Sequence, residues 1–302
     1  MKRKGTSRAV WMALLLLPGA PMGAQQSGAA SAPPANRIRT IEVGSDAASF
    51  HVVSTIVAGP TESVLWDAQY LAAGGKRVAD ALAATGTRLT AIVISHGDHD
   101  HYMGLMQVLE RFPGTPVYMS RSGLDDFIKR SPQDLAAEVA RRGPGEVPDS
   151  IPTPRVLPAG GLRIDGHRVE FVEGLTGDVR APASTAMWIP ELRTVLAGDL
   201  VFAGVHPWLG DADRASRQAW RASLRRLQAL EPEVVVPGHK KEPSAPDSPE
   251  RIDLMLRYLD DYDAAMAAAD SPEEVVQTMV GKYRDLALPA LMAFGARKWF
   301  QR

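Results

Sequence analysis

The chain of 302 residues contains no cysteine. This excludes disulfide bonds and thiolate metal ligands, so any metal must be bound by nitrogen and oxygen atoms. The sequence also lacks an apolar run of the roughly 20 residues that a membrane-spanning helix needs. Aromatic residues make up only 6% of the chain, but 45% of the residues are hydrophobic. That is enough to bury a large core, as one domain or as two packed halves.

The chain has no excess of positive charge, since 34 basic residues face 35 acidic ones. The four basic residues before position 24 precede a short apolar run and the small residues Gly23 and Ala24, a pattern typical of a secretory signal peptide. Without residues 1 to 24 the formal charge falls to −5. We therefore expect no nucleic-acid partner, because nucleic-acid binding requires clustered Lys and Arg.

The domain organisation expected from these patterns has four parts. Residues 1–24 are a signal peptide, the Ala, Ser, Gly and Pro-rich stretch 25–36 is a flexible linker, 37–245 is the main domain and 246–302 is a helical extension. Because no cysteine is present for lipid attachment, we expect a periplasmic or secreted protein without a stable membrane anchor.

Apolar periodicity predicts strands and helices that alternate in both halves of the main domain. The strands are predicted at 39–43, 50–57, 63–66, 92–94, 115–119, 162–164, 168–172, 184–189, 194–197 and 234–236, and the helices at 74–85, 102–111, 124–141 and 214–230. Ser-Pro pairs at 248–249 and 271–272 mark the starts of two further helices. This order is typical of an α/β fold in which helices cover sheets.

Three of the 7 histidines lie in the segment His96-Gly97-Asp98-His99-Asp100-His101. The segment falls between a predicted strand and a predicted helix, where loops often carry ligand sites. Imidazoles and carboxylates packed this closely are stabilised by a bound cation. The alternative is a solvated loop with incidental histidines.

Other polar residues have simpler interpretations. His51 is expected within the second strand as a structural histidine, and His167 at the Asp165-Gly166 turn as an exposed residue. Asp67 ends a strand and either supports the histidine segment or is an ordinary turn carboxylate.

The histidine segment resembles the H-x-H-x-D-H motif of the metallo-β-lactamase superfamily, with Asp98 in place of the second histidine. The resemblance covers about residues 37–245 and continues in Gly174-Leu175-Thr176, Gly198-Asp199 and Gly238-His239. It implies the four-layer αββα sandwich of that superfamily, here with a C-terminal helical extension.

The resemblance implies one complete metal site, formed by Asp100, His101, Asp199 and His239. Of the other site only His96 remains, because Asp98 and Leu175 occupy the places of two histidines. Less certain candidates to complete it are His99, Glu173, Asp178 and His206, each of which taken singly also has a purely structural interpretation.

The metal expected from the resemblance is Zn²⁺, as one or two ions. Asp98, Asp100, Asp199 and a hydroxide together balance two dications, and the added carboxylates make manganese or iron more competitive. The function implied is a metal-dependent hydrolase that uses a metal-bound hydroxide on an ester, thioester, lactone or β-lactam, with Asp100 as catalytic residue. The alternative is a non-catalytic binding protein that keeps one structural metal. The partner expected is a small-molecule substrate, and the oligomeric state stays open.

Overall fold

The computed structural model describes residues 37–179 and 182–300. The predicted signal peptide and linker, residues 1–36, lie outside the described residues. None of the helices in the described part of the chain combines the length and apolar character that crossing a bilayer requires.

The first sheet contains six strands in sequence order. They are β1 (Arg39–Gly44), β2 (Val53–Ala58), β3 (Glu62–Trp66), β4 (Arg88–Val93), β5 (Val117–Met119) and β6 (Arg155–Val156). Neighbours from β1 to β3 pair antiparallel, and those from β3 to β6 pair parallel. The carboxyl ends of β3 and β4 therefore lie side by side.

The second sheet has the strand order β12-β10-β9-β8-β7. Its strands are β7 (Leu162–Ile164), β8 (His167–Leu175), β9 (Ser184–Ile189), β10 (Thr194–Leu196) and β12 (Val234–Val236). A separate parallel pair joins β11 (Phe202–Ala203) to β13 (His239–Lys240). β10 and β12 are parallel to each other, so their carboxyl ends also meet at one edge.

Seven α-helices lie in the described residues. They are α1 (Ala72–Thr85), α2 (Leu105–Arg111), α3 (Arg121–Arg142), α4 (Arg214–Gln228), α5 (Glu250–Ala268), α6 (Pro272–Lys282) and α7 (Pro289–Trp299). Side chains cap several N-termini: Ser120 accepts from the amide of Gly123, and Ser271 accepts from that of Glu274, as N-cap preferences predict.

Side-chain alternation along the strands builds the layers. In β4, Ala91 and Val93 face a core shared with Met187 and Leu196 of the second sheet. The intervening Ile92 faces α1 and α2 on the other side. Each sheet is thus apolar on both faces, as strands buried between two layers must be.

The helices form the two outer layers. Side chains of α1, α2 and α3 pack on the first sheet, and those of α4 to α7 pack on the second. The predicted αββα sandwich with C-terminal helices is confirmed.

The region around the second strand differs from its prediction. β2 begins at Val53 rather than residue 50, because Phe50 and His51 have positive φ and the chain turns there. His51 therefore precedes the strand. His167 begins β8, is half-buried and pairs with Glu191, so it is not the exposed turn residue expected from the sequence.

Candidate metal centre

The polar residues of the site follow strand ends of both sheets. Asp67 follows β3, His96 follows β4 and Asp199 follows β10. Asp178 follows β8, and His239 opens β13 directly after β12. The parallel strands of each sheet deliver these side chains to a common edge, which explains how residues separated by more than a hundred positions meet.

The histidine segment forms a tight turn between β4 and α2. A short 3-10 turn spans His99–His101, where the amide of His101 donates to the carbonyl of Asp98 (3.1 Å). His96 and His101 are fully buried, with ring centroids 4.4 Å apart. The turn therefore places both imidazoles on the same inner side.

Asp199 lies at the centre of the cluster. Its Oδ1 is 3.0 Å from Nε2 of His101, and its Oδ2 is 2.9 Å from Nε2 of His239 and 4.0 Å from Nε2 of His96. Asp100 completes the first group, with Oδ2 3.5 Å from Nε2 of His239. The structure thus brings together Asp100, His101, Asp199 and His239, as the resemblance implies.

Hydrogen bonds at Nδ1 fix the orientation of all three imidazoles. Nδ1–H of His101 donates to Oδ2 of Asp67 (2.9 Å), and Nδ1–H of His239 donates to the carbonyl of Phe50 (2.7 Å). The Ser95 hydroxyl donates to Oδ2 of Asp67 (2.9 Å), so its lone pair accepts from Nδ1–H of His96 (2.9 Å). Each Nε2 therefore points toward the centre, and it is the ring nitrogen that would bind a metal ion once any proton on it is displaced.

Asp178 joins the cluster from the loop after β8. Its Oδ1 lies 3.9 Å from Nε2 of His96, and Oδ2 of Asp98 lies 3.8 Å from the same nitrogen. Gly177 makes this approach possible, because a Cβ at that position would lie 2.9 Å from the carbonyl oxygen of Asp199. The chain therefore passes against the backbone of Asp199 and carries the Asp178 carboxylate into the site.

The other candidates lie elsewhere. His99 is partly exposed and faces Glu138, with Nε2 3.7 Å from Oε1. Glu173 is exposed. His206 is buried, accepts or donates a hydrogen bond at Nδ1 with the Tyr258 hydroxyl (2.7 Å), and burial lowers its pKa to about 4. Leu175 packs in the apolar cluster beneath α4.

The buried charges shift the pKa values of the cluster strongly. Burial lowers the pKa of His101, but the carboxylates of Asp199, Asp67 and Asp100 outweigh it and hold that pKa well above its ordinary value. Burial raises the pKa of Asp178, and the nearby Asp199 and Asp98 raise it further. The His101 imidazole and the carboxylates around it are therefore one another's counter-ions, and a dication bound there would displace the imidazole proton.

The donor set fits divalent metal ions. Three groups of side chains place their possible ligand atoms within 4.8 Å of one another. The first is Asp100, His101 and His239, and the second is His96, Asp98 and Asp178. The third, His96, His101 and Asp199, links the other two. Nε2 of His96 and Oδ1 of Asp178 have no hydrogen-bond partner among the described residues. Buried polar atoms left unpaired are costly, and a metal ion would satisfy them.

An open cleft of about 280 Å³ leads to the cluster. Asp98, Asp100, Asp178, Asp199 and His239 form its polar part, whereas Phe50, Phe202, Trp208 and Leu291 form an apolar wall, with Arg130 and Arg141 at the side. The α7 helix thus contributes to the cleft through Leu291. A small molecule can reach the clustered His and Asp side chains.

We expect Asp67→Asn to weaken metal binding about 10- to 100-fold, the usual effect of losing a residue that orients ligands. Asp67 is fully buried and accepts three hydrogen bonds, two from Ser95 and one from His101. An amide keeps the shape but presents a donor to groups that are themselves donors. Equilibrium dialysis with Zn²⁺ measures the change.

Ser95→Ala is the matched control for this prediction. It removes the hydrogen bond to His96 but leaves the bond between Asp67 and His101 in place. We expect Ser95→Ala to affect only the position that contains His96. Equal metal affinity in Asp67→Asn and the unchanged protein would contradict the orienting role of Asp67.

Sequence reasoning did not single out three residues that shape the site. Ser95 and Phe50 act on the histidines through a hydroxyl and a carbonyl, and neither has a sequence signal. The third residue is Arg130 on α3, whose Nη2 lies 2.8 Å from Oδ1 of Asp98. Its spacing from Asp126 and Asp134, four residues either way, marks an acidic helix face that could have drawn attention to it.

Solved structures with the same fold come from several bacterial proteins. A β-lactamase domain protein from Burkholderia ambifaria has a TM-score of 0.61 at 16% identity, covering 86% of this chain and 85% of that one. A metallo-β-lactamase family protein from Thermus thermophilus has a TM-score of 0.58 at 21% identity, with 85% and 91% covered. The metallo-β-lactamase DIM-1, exposed to ceftazidime, has a TM-score of 0.55 at 15% identity, with 75% and 97% covered.

These likenesses establish the fold alone, and no curated protein matches the chain. The family model of the metallo-β-lactamase superfamily matches residues 49–239, which include every strand from β2 to β12 and all the clustered His and Asp residues. The sequence match, the αββα layers and the His and Asp cluster at the sheet edge agree. The chain belongs to the metallo-β-lactamase superfamily.

Proposed function

We propose that the protein is a metal-dependent hydrolase of a small molecule with an ester, thioester, lactone or β-lactam bond. The observation that carries the proposal is the set of buried ligand residues that lies at an open cleft, within reach of a substrate. A cluster that served structure alone would gain nothing from facing a cleft with an apolar wall.

The metal centre would be held by His96, Asp98 and Asp178 on one side and by Asp100, His101 and His239 on the other, with Asp199 between them. When bound, divalent metal supplies a Lewis acid for the substrate carbonyl and brings the pKa of water toward about 7. The residues of the chain must then position the substrate and move protons.

Asp100 is placed to handle the proton. Its carboxylate lines the cleft, while its Oδ2 lies 3.5 Å from Nε2 of His239. We propose that Asp100 accepts the proton of the attacking water and passes it to the leaving oxygen, sulfur or nitrogen when the acyl bond breaks. General acid–base transfer of this kind contributes about 10²- to 10⁴-fold to a rate.

The walls of the cleft position the remainder of the substrate. Phe202 stacks on the ring of His239 (centroids 4.9 Å apart, planes at 7°), so an apolar surface continues directly from a ligand. Trp208 extends that surface and is held by Nε1–H donating to Oδ2 of Asp211 (3.1 Å). A substrate with an apolar body beside the reacting carbonyl fits this arrangement.

Metal removal tests the proposed function. The chelated protein and the same sample reloaded with Zn²⁺ or Mn²⁺ are assayed with a chromogenic ester, a thioester, a lactone and a cephalosporin. We expect turnover of at least one class, its loss on chelation to the background rate, and its return on reloading. Full metal content with no turnover of any class would instead favour a binding protein with a structural metal.

A further inference from the structure

The position that contains His96 differs in charge and in residue type from the pattern that the resemblance implies. Two carboxylates, Asp98 and Asp178, stand beside His96 where the resemblance implies neutral imidazoles. Each carboxylate adds a negative charge to a buried site. The Arg130 guanidinium lies beside one of them.

We propose that His96, Asp98 and Asp178 form the second metal position, that Arg130 is a fixed counter-charge on Asp98, and that this oxygen-rich position lowers the preference for Zn²⁺ over Mn²⁺. The inference rests on the metal-dependent function proposed for the same site. The experiments below measure bound metal rather than turnover. They can therefore confirm the second metal position even if the protein hydrolyses none of the proposed substrates.

The three ligand atoms lie close to the spacing that a metal ion requires. Two ligands of a tetrahedral ion at about 2.1 Å are roughly 3.4 Å apart. The distances from Nε2 of His96 to Asp98 and Asp178 are 3.8 and 3.9 Å, so a shift of a few tenths of an ångström closes the site. The His96 ring is held by Ser95, which leaves only the carboxylates to adjust.

The burial of His96 and Asp178 also favours a bound cation. His96 and Asp178 expose 0% and 1% of their surface, and their facing atoms lack hydrogen-bond partners in the described part of the chain. The backbone brings Asp178 there because Gly177 allows the loop to contact Asp199. A buried carboxylate aimed at an unpaired imidazole nitrogen is satisfied by a cation.

The two oxygens of Asp98 have separate roles. Oδ2 faces Nε2 of His96 at 3.8 Å, and Oδ1 faces Nη2 of Arg130 at 2.8 Å. Arg130 is itself held between Asp126 (3.6 Å) and Asp134 (3.7 Å) on the same helix. Asp98 would therefore bind through one oxygen, and Arg130 offsets part of its charge, which brings it closer to a neutral imidazole.

Ligand chemistry gives the expected selectivity. Imidazole nitrogen suits Zn²⁺, whereas carboxylate oxygen suits harder ions such as Mn²⁺. Zn²⁺ still binds more tightly to most such sites, so the expected effect is a smaller ratio of the two affinities rather than a reversed order.

The test for Asp178 measures metal bound to the full chain. Equilibrium dialysis against Zn²⁺ or Mn²⁺ alone gives stoichiometry and affinity, and the electron paramagnetic resonance signal of free Mn²⁺ gives an independent titration. We expect two ions per chain in the unchanged protein and one in Asp178→Asn. Asp178→His should keep two ions and raise the Zn²⁺-to-Mn²⁺ affinity ratio roughly tenfold or more.

Glu173→Gln is the matched control, because it neutralises an exposed carboxylate five residues earlier in the same segment. Circular dichroism melting verifies that each variant is folded. Two tightly bound ions in Asp178→Asn, or an unchanged affinity ratio in Asp178→His, would overturn the assignment of Asp178.

The test for Arg130 removes a positive charge, whereas the test for Asp178 removes a negative one. Removing a cation beside a ligand strengthens dication binding, so we expect Arg130→Gln to bind the second ion roughly tenfold more tightly. Arg121→Gln is the control, since Arg121 begins the same helix about 13.5 Å along its axis. Weaker binding in Arg130→Gln would show that Arg130 orients Asp98 and would overturn the counter-charge.

Discussion

We expect Asp199→Asn to lose both metal ions and all metal-dependent turnover. Asp199 is the one carboxylate within 4.0 Å of Nε2 in His96, His101 and His239 among the described residues. An amide has one acceptor instead of two and carries no charge, so it cannot serve both positions. Breaking a buried charged pair costs about 3–5 kcal/mol, which corresponds to an affinity loss of roughly 100- to 4,000-fold.

Asp211→Asn is the control for Asp199→Asn. Asp211 also lines the cleft, but it accepts from Trp208 and lies near Lys298 instead of a histidine. We expect Asp211→Asn to retain the full metal content in mass-spectrometric metal analysis after dialysis. Full occupancy in Asp199→Asn would show that the shared carboxylate is not a ligand.

Much of the fold was predictable because both faces of each sheet are buried. β9 and β12 match their predicted bounds, and the Asp165-Gly166 turn joins β7 to β8 as expected. Long apolar segments between Gly and Pro leave few alternatives. The bounds of β2 were missed because a short 3-10 turn over Ala47–Ser49 precedes the strand. The turn ends in positive φ at Phe50 and His51, whose amides donate to the carbonyls of Ala47 and Asp46.

The candidate site was predictable in so far as several of the candidate ligands lie shortly after a strand. Asp199 and His239 have that position, and they meet the histidine segment as expected. Asp178 was only one of four less certain candidates, because its approach depends on an irregular register between Val172 and Leu175 and on the close contact at Gly177. Neither the register shift nor the contact has a sequence signal.

Arg130 could not be assigned to the site from the sequence, for a different reason. Arg130 lies more than 25 residues after the histidine segment, on a helix whose charges alternate in sign. From the sequence, its partners Asp126 and Asp134 are sufficient to explain it as a solvent-exposed helix face. Only the packing of α3 beside the turn shows that the nearest carboxylate is Asp98.

Gly238→Ala should abolish metal binding as completely as the loss of a ligand, although residue 238 offers no ligand atom. A Cβ there would lie 2.1 Å from Oδ1 of Asp199 and 2.6 Å from the carbonyl carbon of Gly198. The amide of Gly238 also donates to the carbonyls of Gly198 and Val201 (3.0 Å each), so the backbone is held from moving away. The Asp199 carboxylate must therefore leave its place between His101 and His239.

The matched control is Gly160→Ala, because a Cβ at Gly160 would meet no atom within 4 Å among the described residues. We expect Gly160→Ala to bind both ions with unchanged affinity, and Gly238→Ala to bind neither in the same dialysis experiment. Thermal unfolding of both variants separates a displaced carboxylate from a general loss of folding. Two ions retained by a folded Gly238→Ala variant would show that metal binding does not depend on the position of the Asp199 carboxylate. Asp199 would then not be the shared ligand, because a ligand shared by two ions tolerates no displacement of that size.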